Sequence, residues 1–273
     1  MLNFISTPIG NLNDISLRAI EVLKNAEYIY AEDTRNAKKL LNHIECKKKC
    51  ISFHEHNEKI IAKKIIELLL DNEKEIVVLS DAGTPAISDP GYYLIQECIK
   101  EEINFTLIPG PSSVINGVVL SGLPTSSFSF LGFVPRKKSH KTSFIQSLKD
   151  YKDTIILFES GKRIPETIEC LHHEYSSSKK VSLCREMTKI HETIERGSIA
   201  SIHEKIINNE LVLKGEFVIV IEPYSSHKIK PVLDNKTYKL FLKHMAPKDA
   251  AKLISSITKE NKRDVYKLLL EID

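Results

Sequence analysis

Two hydrophobic rhythms alternate along this chain. Short apolar runs at Leu2–Ile5, Tyr28–Ala31, Cys50–Phe53, Ile76–Leu79 and Phe105–Ile108 have the length and β-rich makeup of buried strands. Between them the apolar positions fall at helical spacing, most clearly from Ile60 to Leu70 and from Tyr92 to Ile99. Strand and helix in turn predict a mostly parallel sheet with helices on both faces. Ser121-Gly-Leu-Pro124 interrupts this series. A second follows, with strands at Phe128–Phe133, Thr154–Phe158, Val181–Leu183 and Phe217–Ile221; its longer strands and sparser Gly/Pro turns predict a mixed sheet. Beyond a hinge-like Glu222–Ser226, residues 247–257 and 262–270 read as two short amphipathic helices around a turn at Thr258–Asn261. The expected organisation is an α/β domain over residues 1–120, a second over 121–225, and a small helix-turn-helix-like appendage over 226–273.

Three of the predicted strands empty into loops rich in Gly, Pro, Ser and Asp. The longest, Ser80-Asp-Ala-Gly-Thr-Pro-Ala-Ile-Ser-Asp-Pro-Gly91, is too long for an ordinary strand-to-helix connection, and long ordered loops in compact domains are usually functional. Pro109-Gly-Pro-Ser-Ser113 follows the fifth run, ahead of a small-residue helix from Val114 to Leu120. Ser6-Thr-Pro-Ile-Gly-Asn11 follows the first, with Asp14 or Ser16 placed to cap the next helix. Loops at the carboxyl ends of parallel strands are where such sheets bind ligands, so together these predict one pocket.

The glycines exclude other sites. No two of them are separated by a single residue, so there is no G-x-G-x-x-G fingerprint, and no Gly-Lys-Ser/Thr exists for a phosphate loop. His43, Cys46, Cys50, His54 and His56 cluster in sequence but match no common zinc spacing, so no metal is expected. Five scattered cysteines suit a reducing compartment. No apolar run approaches the ~20 residues that span a bilayer, and the start lacks the basic and apolar regions of a signal peptide. A cytoplasmic protein without membrane contact is expected.

The net charge of +3 is unevenly placed. Residues 226–273 hold eleven Lys/Arg and six Asp/Glu, a net of +5, which leaves −2 for the rest. A basic appendage on a near-neutral body suggests a polyanionic partner.

Six ordered motifs resemble one family. They are Ser6–Asp14, Ala31-Glu-Asp-Thr-Arg35, His54-Glu-His-Asn-Glu58, Ser80–Gly91, Pro109-Gly-Pro-Ser112 and Arg185-Glu-Met-Thr-Lys-Ile-His-Glu192. From residue 3 to about 222 the chain resembles the rRNA-methylating branch of the tetrapyrrole methylase superfamily, and its tail resembles that branch's helical appendage. The resemblance implies two α/β domains, a homodimer, and S-adenosylmethionine folded into the cleft between the domains. It also implies methylation of the ribose 2′-oxygen of a cytidine in the decoding centre of 16S rRNA, with the small ribosomal subunit as partner and no DNA. Where the branch usually has Glu-Ser-Pro-His-Arg, this chain has Glu159-Ser-Gly-Lys-Arg163, which leaves the role of that position open.

The resemblance carries Pro8, Ser80, Asp81, Ala82, Pro85, Ser112, Ser113, Phe158, Glu159 and Ile194 into the donor pocket. Asp81 stands out because it directly follows a buried strand. Methyl transfer from a sulfonium to oxygen needs orientation and desolvation, and a ribose hydroxyl, a weak acid, gains from a base or a nearby cation. Lys189, Glu186, His191 and Glu192 offer both within one motif, and His56, beside His54, is a second candidate. Arg35, Arg136, Lys137, Lys138 and Arg163, the rest of the run Pro135–Lys141 and the tail supply cations for phosphates. The competing expectations are a tetrapyrrole or diphthine methyltransferase, and a non-catalytic ribosome-binding factor that keeps the fold.

Overall fold

A computed structural model of the protein describes residues 1–71, 74–223, 233, 235–258 and 260–271. The part of the expected Glu222–Ser226 hinge beyond Pro223, and Lys259 of the expected turn, lie outside the described residues. The chain divides into two compact units, Met1–Pro223 and Tyr224–Asp273.

In the first unit the early apolar runs form β1 (Leu2–Ile5), β2 (Tyr28–Ala31), β3 (Cys50–Ser52), β4 (Ile76–Leu79) and β5 (Phe105–Ile108). All pairings are parallel, in the order β3-β2-β4-β1-β5. Alternate residues of each strand point to opposite faces, and both faces are covered. Ile5, Ile29, Val77 and Leu79 pack under α1 (Leu17–Asn25) and α2 (Thr34–His43). Leu2, Phe4, Ile76 and Val78 pack under α3 (Glu58–Asp71) and α4 (Tyr92–Lys100). The helix after β1 and the helix after β4 thus lie on opposite faces, although the two strands are neighbours. A crevice opens at their carboxyl ends, the switch point where such sheets bind ligands.

The second sheet has the order β6-β7-β10-β8-β9: β6 (Phe128–Phe133), β7 (Thr154–Ser160), β8 (Lys180–Arg185), β9 (Thr193–Ser198) and β10 (Glu216–Ile221). It is mixed, with β6 parallel to β7 and the other pairs antiparallel. The strand at 193–198 was not expected, because Thr-Ile-Glu-Arg-Gly-Ser has one large apolar residue and becomes a strand only by pairing with β8. One face of this sheet packs on α6 (Lys138–Ser147), α7 (Ile164–Glu174) and α8 (Ile199–Ile207). The other receives α5 (Ser113–Ser121), the helix that follows β5: Val114 and Val118 join Ile156, Cys184, Val218 and Val220, with Ile9 from the loop after β1. The approach is close, since a Cβ on Gly117 would lie 2.7 Å from Val218 Cγ1. The expected division at residue 120 falls at the end of this helix, which ties the two sheets together.

The second unit contains α9 (Asn235–His244), α10 (Pro247–Thr258) and α11 (Lys262–Leu270). Its own core holds Tyr238, Ala250, Ala251, Ile254, Val265 and Leu269. The sequence reading anticipated the last two helices and missed α9. Among the described residues, no helix is long and apolar enough to cross a membrane.

Candidate active site

A cavity of about 580 Å³ opens at the switch point and is shared by both sheets, within the usual range for small-molecule sites. Its floor is the Ser80–Gly91 loop. Gly83 and Thr7 exchange two backbone hydrogen bonds of 2.8 and 3.0 Å, which staple this loop to the one after β1. Ser6 Oγ donates to Thr84 Oγ1 over 3.3 Å. At the far end, Glu58 Oε1 accepts from the N–H groups of Gly91 (2.8 Å) and Tyr93 (3.1 Å), capping α4. Ala86 and Ser88 hold φ of +66° and +64°. Such a conformation costs non-glycine residues roughly 1–3 kcal/mol each and persists only where the surroundings impose it. The loop is rigid by construction.

The second wall is the motif after β8. Glu186 and Thr188 also lie at positive φ, +48° and +64°. Arg185 is buried and donates to Lys214 O (2.7 Å) and His191 O (2.9 Å), folding the motif back on itself. Gly10 and Asn11 press against it. A Cβ on Gly10 would come within 2.4 Å of Lys189 Cγ, and Asn11 N donates to Thr188 Oγ1 over 3.0 Å. Lys189 Nζ reaches Glu186 Oε1 at 3.1 Å and Glu216 Oε2 at 3.3 Å. Burial pulls the Lys189 ammonium down. Its bond to Glu186 and the charges of Glu216 and Glu186 outweigh this and leave it above the ordinary lysine value. It is a cation at neutral pH, which removes it as a resting base.

Of the expected donor residues, Asp81, Ala82, Ser112, Ser113, Phe158 and Glu159 line this cavity. Pro8, Ser80, Pro85 and Ile194 are not part of the lining; Ser80 is buried and bonds back to Gly83 O. Asp81 also has a structural task, its two oxygens accepting from Asp33 N (2.9 Å) and Asn36 Nδ2 (3.1 Å) at the start of α2. Glu159 is buried between Thr167 Oγ1, Ser160 N and Arg163.

Of the expected catalytic residues, Lys189 and Glu186 line the cavity, whereas His191, Glu192 and His56 do not. Glu192 Oε2 accepts from Thr188 N over 2.7 Å. Arg136, Lys137 and Lys138 are exposed, and Arg35 is exposed with its guanidinium on Asp33. That arginine holds the Asp33 carboxyl down to about 2. Arg163 donates to Val134 O (2.6 Å) and Pro135 O (2.9 Å), so its guanidinium serves the fold where Gly161-Lys162 replaces the usual pair. Lys141 departs from the phosphate role expected of its run: it is buried, 2.7 Å from Glu166.

Three carboxyl groups in the lining escaped the sequence reading, Glu32, Asp89 and Glu216. Burial first, and then the Glu32 charge, push Asp89 up to about 7, with Asp81 adding to the effect and a hydrogen bond from Ser80 opposing it. Glu32 is raised by burial and by the Asp81 charge, and its Oε2 is buried without a hydrogen-bond partner. The available signal was position: Glu32 directly follows β2, and Asp89 closes the long loop.

The fold and this switch-point cavity define a class. The chain belongs to the tetrapyrrole (corrin/porphyrin) methylases, whose family model matches residues 1–203. A second model, the RsmI C-terminal HTH domain, matches residues 235–273. Among individual relatives, the chain is similar to the ribosomal RNA small subunit methyltransferase I of Xylella fastidiosa, at 36% identity over 97% of each chain. It is similar to the enzyme of that name from Vibrio cholerae at 36% identity, over 99% of this chain and 94% of the relative. Among solved structures, a diphthine synthase superposes with a TM-score of 0.64 at 15% identity, over 81% of this chain and 89% of that one. A uroporphyrin-III C-methyltransferase from Thermus thermophilus gives 0.56 at 15% identity, over 81% and 94%. At that identity these two show the shared fold alone.

Ribosomal RNA methyltransferases of this family take their methyl group from S-adenosyl-L-methionine. The lining suits that group. Phe130, Phe133 and Phe158 give an aromatic wall for a purine. The N-terminus of α5 presents backbone N–H groups for a carboxylate. The carboxyl groups of Glu32, Asp81, Asp89, Glu159, Glu186 and Glu216 outnumber the single ammonium of Lys189, which favours a cationic sulfonium.

Proposed function

We propose that the chain is an S-adenosylmethionine-dependent methyltransferase that acts on the ribose 2′-hydroxyl of a cytidine in the decoding centre of 16S rRNA, within the small ribosomal subunit. One observation carries this reading: a single cavity joins the Ser80–Gly91 loop, the amino end of α5 and the Glu186–Lys189 wall. A donor pocket and a cation for a developing alkoxide are therefore adjacent. Asp81, Ala82, Ser112, Ser113, Phe158 and Glu159 line the donor side. The Lys189 ammonium faces the charge that grows on the ribose oxygen, where a preorganised cation lowers the barrier. Glu186 orients that ammonium.

Arg35, Arg136, Lys137 and Lys138, with the basic second unit, provide the cations that hold rRNA phosphates. A homodimer working in the cytoplasm completes the proposal. The test is to incubate unmodified small subunits with protein and donor and to map the methylated nucleotide by mass spectrometry. A ribose-methylated cytidine in 16S rRNA is the expected product. Donor binding without transfer to any 16S nucleotide would overturn the reading.

A further inference from the structure

A second depression, of about 560 Å³, lies between the Gly10–Asn13 segment and the Thr188–Ile190 segment, with His43 from the carboxyl end of α2 at its side. Lys189 lines both this groove and the active-site cavity, so the two meet at that residue. The walls of the groove are fixed. Asn11 N donates to Thr188 Oγ1 over 3.0 Å, and Asn11 Oδ1 accepts from Asn13 N over 3.0 Å. Opposite them, Glu192 N donates to Lys189 O over 3.0 Å and closes a turn with Ile190 at its first corner.

Ile190 is 95% exposed. Single exposed apolar residues are ordinary on a protein surface, but this one is held outward by a fixed turn, one residue from the cation of the site. Asn13 and His43 are exposed as well, and their side-chain polar atoms have no hydrogen-bond partner among the described residues. The outer face of α2, which ends at His43, also exposes Lys38 and Lys39. The groove thus combines an apolar tip, free hydrogen-bonding groups and nearby cations.

A base stacked within folded RNA must leave its stack before its ribose can enter a cavity, and unstacking is costly. The nucleotides on either side stay outside, at the mouth. Resting on the ribose-methylating function proposed above, we propose that this groove seats the unpaired nucleotide next to the target, and that Ile190 is the wedge that takes the target base's place in the stack. Its branched apolar end covers the base face left bare, as apolar wedges do where other proteins unstack a base step. Asn13 and His43 offer donors and acceptors to the edge or the 2′-hydroxyl of the seated nucleotide. Lys38 and Lys39 draw in its phosphates.

Variants of the full chain and one cross-linking measurement test this. Ile190→Ala lowers the single-turnover rate on saturating small subunits by about 10–10²-fold, as the loss of a group that offsets part of the cost of unstacking would. Ile190→Leu keeps most of the rate. Asn13→Ala and His43→Ala each weaken subunit binding by about 2–10-fold, the range for one lost hydrogen bond. Calorimetric donor affinity stays native in all four, because none of these residues lines the cavity. Thermal unfolding stays native too, because all three side chains are exposed. With p-benzoylphenylalanine placed at position 190, irradiation of the donor-bound complex with small subunits gives a cross-link that primer extension maps to a nucleotide adjacent to the methylated one.

A native rate for Ile190→Ala overturns the wedge and leaves the functional reading intact. A cross-link to distant rRNA, or to a ribosomal protein, overturns the groove's assignment in the same way. A native protein that binds donor but methylates no small subunit overturns the functional reading and this inference with it.

Discussion

Gly10→Ala is a steric probe of how the two walls of the site are held together. Gly10 does not lie at positive φ, so alanine suits its backbone and only the added methyl acts. That methyl would sit 2.4 Å from Lys189 Cγ, 2.7 Å from Thr188 Oγ1 and 2.9 Å from Met187 O. The lysine stem can swing away, but the Met187 carbonyl belongs to a backbone held at positive φ on both sides, so the wall itself must move. Overpacking of this kind costs about 1–3 kcal/mol, and each kcal/mol lowers Tm by about 2–4 °C at this size. The displaced segment carries Lys189, and a shift of ~1 Å at a reacting group costs about 10²-fold in rate. Thermal unfolding and single-turnover methylation measure the two effects. Gly197→Ala is the control, because its methyl would meet neighbours only at 3.4–3.5 Å. If Gly10→Ala melts and turns over as Gly197→Ala does, the close packing of the two walls has no functional weight.

Three further outcomes are expected. Glu58→Ala removes the acceptor for Gly91 N and Tyr93 N, should cost about 0.5–2 kcal/mol as lost helix caps do, and should lower turnover by loosening the loop that carries Asp89; an unchanged urea midpoint would count against it. Lys189→Ala should lower kcat at saturating donor and leave donor affinity intact, and native single-turnover rates would make this lysine purely structural. Truncation after Pro223 should leave a folded first unit with its donor site, since the second unit has a core of its own. It removes the +5 counted over residues 226–273, so rRNA affinity should fall and its salt dependence flatten; equal binding by the truncated and full chains at moderate salt would contradict this.

Local patterning was sufficient for the strands of the first sheet, because a four-residue apolar run between Gly/Pro loops has few other uses. All five strands of the first sheet begin at the residues expected from the sequence, and four also end there. The Ser80–Gly91 loop was legible as a binding loop for the same reason, since its composition and its place after β4 are local facts. The strand at Thr193–Ser198 was not legible, because its β structure comes from pairing with β8 and not from its own residues. Likewise α5 reads as the last helix of the first domain, and only the fold shows it lying on the second sheet.

The site divides in the same way. That Asp81, Ser112 and Lys189 belong near chemistry was readable from motifs, because residue type and loop position are properties of the chain alone. Whether a given carboxylate is free to act was not, because that depends on what the fold brings within hydrogen-bond reach. Glu192 is tied to Thr188 N and Lys141 to Glu166. Asp89 is set between Glu32 and Asp81, two like charges from separate loops, and partly removed from water. The sequence by itself determined most of the elements, the binding loops and the family. The tertiary structure alone decided which acid faces the cavity and how readily it holds a proton, because desolvation and charge proximity arise only once distant loops converge.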